Sequence, residues 1–179
     1  MKPAIGPGKG DPGMMAGSIE RIFLHAGPSG GDPMLAVDAV RVVVAGGLAG
    51  DRFFQGEGSV ATKRGPDREV SLIEAEAIEA VSREGKVALG PEQSRRNIVT
   101  RGVALNHLVG REFRVGAAVL RGIRLCEPCK HLESLTQPGM LMALLHRGGL
   151  RAQVVEGGEV RVGDPVEIVE LVGAAAPAQ

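Results

Sequence analysis

Short segments of alternating apolar and polar residues, separated by glycine-containing turns, constrain this fold more than any other feature of the sequence. They recur at residues 18–24, 35–44, 94–100, 112–126 and 151–172. In the last segment, the stretch EGGE predicts a tight hairpin, because glycine adopts the positive φ angles of such turns at little cost. About eight or nine strands follow from this pattern, and most are joined too closely for helical crossovers. We therefore expect a mainly β fold with short helices, an open or closed β-barrel rather than a doubly wound sheet.

Two segments change to a helical period. In REVSLIEAEAIEAVSREGK, Ser71 and Glu74 match a capping box, which predicts that a helix begins there. Gly85 is placed to end this helix. Its predicted apolar face consists of Ile73, Ala77, Ile78 and Val81. In PGMLMALLHRGG, Pro138 and Gly148 bracket a second, short helix.

Composition limits the classes of function that this chain can perform. Only 2% of the residues are aromatic, so the core must be aliphatic and few side chains can stack on nucleic-acid bases. The formal net charge is zero, which disfavours binding to nucleic acid or to a membrane surface. We find no apolar run of about 18 residues, no secretory signal and no disulfide scaffold. A cytoplasmic protein is expected, with flexible ends at residues 1–17 and 173–179 around one domain at residues 18–172.

Both cysteines lie in one C-x-x-C motif, Cys126-Glu-Pro-Cys129, that follows a predicted strand. A reactive or metal-bound cysteine must be a thiolate, and the nearby cations Arg124, Lys130 and His131 could stabilise one. A closed zinc site is disfavoured because it needs four ligands and no second C-x-x-C pair exists. A thioredoxin-like dithiol is disfavoured because it normally follows a βαβ unit. A working thiol and two inert cysteines both remain open.

Three other stretches contain groups that bind anions. If SRRNIVT is a strand, Arg95 and Asn97 share one face, where a guanidinium and a carboxamide could bind phosphate or carboxylate. The glycine-rich segment GGLAGDRFF places Asp51 and Arg52 after a turn, either as a local ion pair or as the rim of a site. The segment ATKRGPDRE adds Lys63, Arg64 and Arg68. Solvated surface is the alternative for each stretch, and no nucleotide-binding fingerprint is present.

Five segments then occur in a distinctive order: GLAGDRF, REVSLIEAEAIE, RRNIVTRGVALNHLVGREFRVGAAVLRG, CEPCKHL and GGLRAQVVEGGEVRVGDPVEI. Together they resemble the MOSC domain family, which is named from the C-terminal domain of molybdenum-cofactor sulfurase. The resemblance spans roughly residues 18–170 and implies a MOSC-like β-barrel, in agreement with the strand pattern. Many relatives carry His after Gly-Asp-Arg, whereas this chain has Phe53, which cannot make that residue's polar contact.

The resemblance implies handling of the molybdenum cofactor (molybdopterin) or of sulfur. In longer reductases of the family, a cysteine in a short turn after a strand holds the metal. It corresponds best to Cys129, with Cys126 as a supporting or resolving thiol. The other cofactor-binding residues that the resemblance suggests are Arg95, Asn97, Asp51, Arg52, Lys63, Arg64 and His131. Stand-alone members have been proposed to carry sulfur from a pyridoxal-phosphate-dependent desulfurase, although this chain has no recognisable pyridoxal-phosphate lysine site.

Three functions follow as alternatives. Cys129 ligates molybdenum in an oxidoreductase, whose electrons come from a partner protein because the chain lacks a ferredoxin-like cysteine set. Alternatively, Cys129 accepts persulfide sulfur from a cysteine desulfurase and passes it on. In the third alternative, the domain is a non-catalytic β-barrel scaffold with inert cysteines.

Overall fold

The computed structural model describes residues 17–56, 63–85 and 87–169. Its strands are β1 (Gly17–His25), β2 (Met34–Val37), β3 (Ala39–Val43), β4 (Gly47–Leu48), β5 (Val70–Glu74), β6 (Ile98–Arg101), β7 (Glu112–Val115), β8 (Ala118–Leu125), β9 (Leu150–Glu156), β10 (Gly158–Arg161) and β11 (Pro165–Ile168). Its α-helices are α1 (Arg52–Gln55), α2 (Ala75–Arg83), α3 (Lys130–Leu135) and α4 (Met140–Ala143). No helix in the described ranges is long and apolar enough to cross a membrane. The ends predicted to be flexible lie outside those ranges, apart from Gly17.

Seven strands close into a mixed β-barrel in the order β11-β7-β8-β9-β5-β6-β1. The ring closes where β1 pairs antiparallel with β11 and places Gly17 opposite Val166. Strands β5 and β6 run parallel, with Leu72 opposite Ile98. Strand β2 extends the sheet beyond β1, while β10, β3 and β4 form a separate three-stranded sheet. The predicted β-barrel is confirmed, and closure of the ring gives its strands a hydrogen-bonded neighbour on both sides.

Two apolar cores lie on opposite sides of the barrel wall. The inner core is mainly aliphatic and includes Ile22, Leu72, Ile98, Phe113, Leu120 and Leu150. The outer core lies between the barrel and helices α2, α3 and α4, and includes Phe23, Ile73, Ile78, Val99, Leu132 and Leu144. Strands β5 and β6 contribute to both cores, because each has two adjacent apolar residues, Leu72 and Ile73 in β5 and Ile98 and Val99 in β6, that face opposite sides of the wall.

The predicted helix start at Ser71 is wrong. Strand β5 occupies this segment, and α2 begins only at Ala75. Leu72 and Ile73 are both fully buried, one in each core. This burial on two faces requires an extended backbone, and it outweighs a local capping pattern. The end of the helix is as predicted, because Gly85 follows it with a left-handed φ of +69°.

Two predicted strands also differ from the structure. In SRRNIVT, strand β6 begins only at Ile98, after a 3-10 helix and a left-handed residue, Arg95, whose φ is +58°. Arg95 and Asn97 therefore do not share a strand face, and that prediction is wrong. The segment at residues 35–44 is divided into β2 and β3 at Asp38. The glycine-rich segment after it contains β4 and α1.

Candidate functional site

A cleft of about 210 Å³ lies where six distant parts of the chain meet, and it contains the exposed cysteine. These parts are the end of β1, the start of α1, β5, the turn before β6, α3 and β9, and the loop after β1 and the 3-10 helix Pro66–Arg68 contribute one residue each. The residues that line it are His25, Gly30, Asp51, Arg52, Phe53, Arg68, Ser71, Arg95, Arg96, Asn97, Cys129, His131, Leu132, Leu135 and Arg151. A larger groove of about 510 Å³ beside α2 has no cysteine or histidine among its lining residues. We therefore place the chemistry in the smaller cleft.

Most of the residues that the sequence suggested for the site come together in this cleft. They are Cys129, His131, Arg95, Asn97, Asp51 and Arg52. Cys126 is buried and is not among the lining residues. Arg64 stacks on the ring of Phe53, 4.7 Å from the ring centroid, and its Nη2 donates to the Phe53 carbonyl at 3.0 Å. Lys63 is exposed and does not line the cleft.

The cleft also contains residues that the sequence did not select as binding groups. They are His25, Ser71, Arg96 and Arg151, while Arg68 had been noted only as an anion contact. For Arg96, the available signal is a second consecutive arginine two residues before an apolar strand. No local signal marks Arg151, because strand pairing between β9 and β5 brings it to the site.

The two cysteines differ in exposure. Cys129 is exposed and immediately precedes α3, where its carbonyl accepts a hydrogen bond from Glu133 N at 3.1 Å. Cys126 is only 2% exposed, and its N–H donates to the Gly149 carbonyl at 2.7 Å. Cys129 is thus the thiol that faces the cleft. Within the described part of the chain, no group of three or more His, Cys, Asp and Glu side chains could hold a metal ion.

Arg96 fixes the backbone that leads to Cys129. Its guanidinium is buried, with the residue only 5% exposed, and it donates to the carbonyls of Gly148 at 2.9 Å, Ser94 at 3.1 Å and Cys126 at 3.1 Å. Burial lowers the pKa of Arg96, so these three carbonyl dipoles are needed to stabilise its charge. The turn is also tightly packed, because a Cβ on Gly148 would lie 2.4 Å from the Cys126 carbonyl oxygen.

Asp51, Ser71 and Asn97 form a hydrogen-bonded group that we call the polar floor. Asn97 Nδ2 donates to Asp51 Oδ2 at 3.0 Å and to the Phe23 carbonyl at 3.2 Å, while its Oδ1 accepts from Ser71 Oγ at 2.9 Å and Ser71 N at 3.2 Å. Asp51 also accepts from the backbone N–H groups of His25 and Phe53, at 2.8 and 3.0 Å. Both amide hydrogens of Asn97 are therefore used inside the protein, and the floor positions neighbouring groups.

Arg52 and Arg95, which we call the first arginine pair, carry buried N–H groups without a partner among the described residues. These groups are Nη1 of Arg52 and Nε of Arg95. The other nitrogens of Arg95 donate to two carbonyls of the loop after β1, at 2.8 and 2.5 Å, and Nη2 lies 3.3 Å from His25 Nδ1. Burial, followed by the charges of Arg52, Arg95 and Arg96, lowers the pKa of His25 to about 3. His25 is therefore neutral near pH 7 and can accept from Arg95 at Nδ1.

The cleft is strongly basic although the chain as a whole has no net charge. Five arginines and one carboxylate, that of Asp51, line it, whereas the formal net charge of the chain is zero. None of the five forms an ion pair with a described residue. Burial and the charge of Arg52 lower the pKa of Arg95, which indicates mutual repulsion. A bound anion would relieve that repulsion and fill the unused N–H groups.

A sequence profile of the MOSC domain matches residues 59–167, more than half of the chain. The chain belongs to the MOSC domain family. This family is associated with molybdenum-cofactor sulfurase-like function. A search of curated proteins finds no significant match.

Solved structures share this MOSC fold. The YuaD protein from Bacillus subtilis is 21% identical, with a TM-score of 0.71 over 87% of this chain and 96% of YuaD. YiiM from Escherichia coli is 21% identical, with a TM-score of 0.64 over 88% of this chain and 71% of YiiM. YiiM from Geobacillus stearothermophilus is 19% identical, with a TM-score of 0.66 over 88% of this chain and 78% of that protein. At this level of identity the likeness establishes the fold alone.

Proposed function

We propose that the cleft binds the molybdenum cofactor and that Cys129 is the protein ligand of its metal. One observation carries this proposal: an exposed thiol shares a cleft with two arginines whose buried N–H groups lack partners among the described residues. A soft thiolate suits a molybdenum centre, and guanidinium N–H groups bind phosphate strongly. When bound, the cofactor supplies oxygen-atom or electron transfer, while the protein binds and orients it.

The residues of the cleft that this proposal uses either bind the cofactor or position the residues that do. The first arginine pair would bind the cofactor's phosphate, and His131, which lines the same cleft, would contact its pterin. The polar floor holds the backbone at the end of β1 and at the start of α1, so it acts through the residues it positions. Arg96 fixes the turn that presents Cys129. We assign no contact with the cofactor to Lys63 or Arg64, because neither lines the cleft.

Elemental and pterin analysis tests this proposal. The protein is produced in a host that makes the molybdenum cofactor, and molybdenum and pterin are measured in wild type, Cys129→Ser and Cys126→Ser. We expect wild type to contain both, Cys129→Ser to lose molybdenum, and Cys126→Ser to retain it. Absence of molybdenum from wild type would contradict the proposal, and so would equal molybdenum contents in wild type and Cys129→Ser.

Exposure of Cys129 also supports a second function, that of a sulfur carrier. The Cys129 thiolate attacks the outer sulfur of a persulfide on a cysteine desulfurase. A new S–S bond forms on Cys129 as the donor's S–S bond breaks, and the donor leaves as a thiolate, so no external oxidant is needed. In either function the chain acts with a partner protein, an electron donor or a desulfurase.

Mass spectrometry separates the two functions. After incubation with a cysteine desulfurase and free cysteine, we expect a carrier to gain one sulfur atom on Cys129 and none on Cys126. A protein that holds molybdenum but never gains sulfur would leave cofactor binding as the supported function. Sulfur found equally on both cysteines would contradict the assignment of Cys129 as the accepting thiol.

A further inference from the structure

The arginines of the cleft act on two different titratable residues, His25 and Asp67. The charges that act on His25 are those of Arg52, Arg95 and Arg96. A different set surrounds Asp67, a residue of the 3-10 helix before β5, and consists of Arg124, Arg68 and Arg151. No arginine belongs to both sets, although burial and, to a smaller extent, the charge of Arg151 lower the pKa of Arg96. Arg68 and Arg151, which we call the second arginine pair, nevertheless line the same cleft as Cys129.

The second arginine pair has no carboxylate of its own among the described residues. Asp67 is the acidic group nearby, and Arg124 already holds it, with Nε and Nη2 each 2.8 Å from Oδ2. Arg151 has only a long contact, 3.4 Å from Nη1 to the Asp67 carbonyl. Partial burial alone would raise the pKa of Asp67, but Arg124, Arg68 and Arg151 outweigh it and lower that pKa. The local charge is therefore positive even with Asp67 ionised.

Strand pairing keeps Arg151 beside the polar floor. Arg151 in β9 is the direct partner of Ser71 in β5, and Ser71 Oγ contacts Asn97 Oδ1 at 2.9 Å. Arg68 ends the 3-10 helix just before β5. Both arginines are half-buried, and each contributes a guanidinium-bearing side chain to the lining of the cleft. Such groups bind planar or tetrahedral oxyanions through two parallel N–H bonds.

A cofactor phosphate would not neutralise the whole cleft. With His25 neutral, five arginines and one carboxylate leave four positive charges, or three once Cys129 is a metal-bound thiolate. A phosphate monoester carries about 1.5 to 2 negative charges near pH 7. Arg96 directs its N–H groups at three backbone carbonyls, so it has little capacity to bind a ligand. The uncompensated cations are then Arg68 and Arg151.

We propose that Arg68 and Arg151 form a second anion subsite, distinct from the first arginine pair, and that the molecule acted on at Cys129 carries an oxyanion group. This inference rests on the proposed function, in which the first arginine pair holds the cofactor's phosphate. The substrate class is therefore a small molecule with a carboxylate or a phosphate ester. Its anionic end binds Arg68 and Arg151, and its reactive end faces the thiol or the metal that the thiol holds.

Calorimetric titration with inorganic phosphate tests the subsite without any turnover. Protein from a host that cannot make molybdopterin should bind two phosphates. Arg68→Gln with Arg151→Gln should weaken one of them about tenfold or more, and Arg52→Gln with Arg95→Gln should weaken the other. A matched control is Arg114→Gln with Arg161→Gln, two exposed arginines outside the cleft, which should leave both unchanged. The corresponding Arg→Lys variants keep the positive charge. They distinguish weaker phosphate binding at the subsite from a general loss of folded protein.

The outcomes separate this inference from the proposed function. A single phosphate that both pairs of substitutions weaken would overturn the second subsite, as would unchanged binding in the Arg68→Gln, Arg151→Gln variant. Two phosphate sites in a protein that never binds pterin would support the subsite and remove the cofactor proposal. In cofactor-loaded protein, one phosphate should remain, bound through Arg68 and Arg151. Competition with acetate then distinguishes a carboxylate subsite, which acetate blocks, from one that selects phosphate.

Discussion

The polar floor and the first arginine pair are neighbours, yet their hydrogen bonding is opposite. In the floor, Asn97 uses both amide hydrogens and its carbonyl oxygen, and both oxygens of Asp51 accept hydrogen bonds. In the arginine pair, Arg52 and Arg95 each keep a buried N–H without a partner in the described structure. A saturated group stabilises the fold, while an unsaturated one costs free energy until a ligand binds. This contrast distinguishes positioning residues from binding residues.

Breaking the floor should have the largest effect on stability. Asn97→Leu removes the bonds to Asp51, Ser71 and the Phe23 carbonyl and leaves those buried groups unsatisfied. We expect the free energy of unfolding to fall by about 4 kcal/mol, measured by urea denaturation. The control is Asn106→Leu, because Asn106 is exposed and, among the described residues, its side chain donates only to the His146 carbonyl. Similar losses in both variants would show that the floor is not a stabilising unit.

His25 connects the two regions, and its titration should have the next largest effect. Its backbone N–H binds Asp51 in the floor, whereas its ring lies against the arginine pair. The unfolded chain takes up a proton below about pH 6.5, but the folded protein does so only near pH 3, because of burial and then the charges of Arg52, Arg95 and Arg96. The stability that neutral His25 preserves is therefore present above pH 6.5 and decreases as the pH falls from 6.5 towards 3.

His25→Gln removes this titration, so the free energy of unfolding should depend less on pH. We expect the loss of unfolding free energy between pH 7 and pH 4 to be about 3 kcal/mol smaller in the variant than in wild type. Urea denaturation at pH 7, 5.5 and 4 measures it. Comparison of the two proteins cancels the titration of groups common to both, such as Glu69 and Glu74. Parallel curves for the two proteins would mean that His25 is not held neutral by its surroundings.

The fold was more predictable from sequence than the site, for a physical reason. Alternation reports which face of a strand is buried, so β7 to β11 could be located from local sequence. The same rule failed at β5, where Leu72 and Ile73 are buried in different cores and the capping pattern at Ser71 was misleading. It failed again at Arg95, whose left-handed backbone interrupts the alternation just before β6. Tertiary burial outweighs local propensity at both places.

The arginines of the site show that a local sequence pattern does not report contacts between distant elements. Arg95 and Arg52 were found from motifs, but their unpartnered N–H groups depend on packing across distant elements. Arg151 reaches the cleft only because β9 pairs with β5 in one register, which places it opposite Ser71. A shift of one residue would turn Arg151 to the other face of the sheet. Register depends on the whole barrel, so no short segment predicts this contact.

Substitution of Gly148 should reduce the free energy of unfolding by a smaller amount. It tests whether the C-x-x-C turn is as rigid as the polar floor. In Gly148→Ala, the new Cβ would lie 2.4 Å from the Cys126 carbonyl oxygen and 3.1 Å from Pro128 Cδ, so the turn must shift. We expect a loss of about 2 kcal/mol in unfolding free energy and a lower molybdenum content. Gly31→Ala is the matched control, because its Cβ would meet no atom closer than 3.7 Å. Equal molybdenum contents in the two variants would argue against a role for the turn in presenting Cys129.

The smallest effect on stability should come from the arginine pair, and this makes Arg52 the sharpest test of the contrast. Arg52→Gln removes a guanidinium whose buried Nη1 has no partner in the described structure, so little native hydrogen bonding is lost. We expect the free energy of unfolding to change by less than about 1 kcal/mol, while phosphate affinity falls about tenfold. Arg52→Lys, which keeps a charge but not the planar fork, should lie between Arg52→Gln and wild type in affinity.

The control is Arg114→Gln, because Arg114 is exposed and lies outside the cleft. It should change neither the free energy of unfolding nor the affinity for phosphate. A stability loss in Arg52→Gln as large as that in Asn97→Leu, with phosphate affinity unchanged, would place Arg52 in the floor. Its unpartnered N–H would then be an unsatisfied hydrogen-bond donor that the fold tolerates, and not a group that binds a ligand. The reverse pattern, lost affinity with intact stability, is what a group held ready for a ligand must show, because its hydrogen bonds form only when the anion is present.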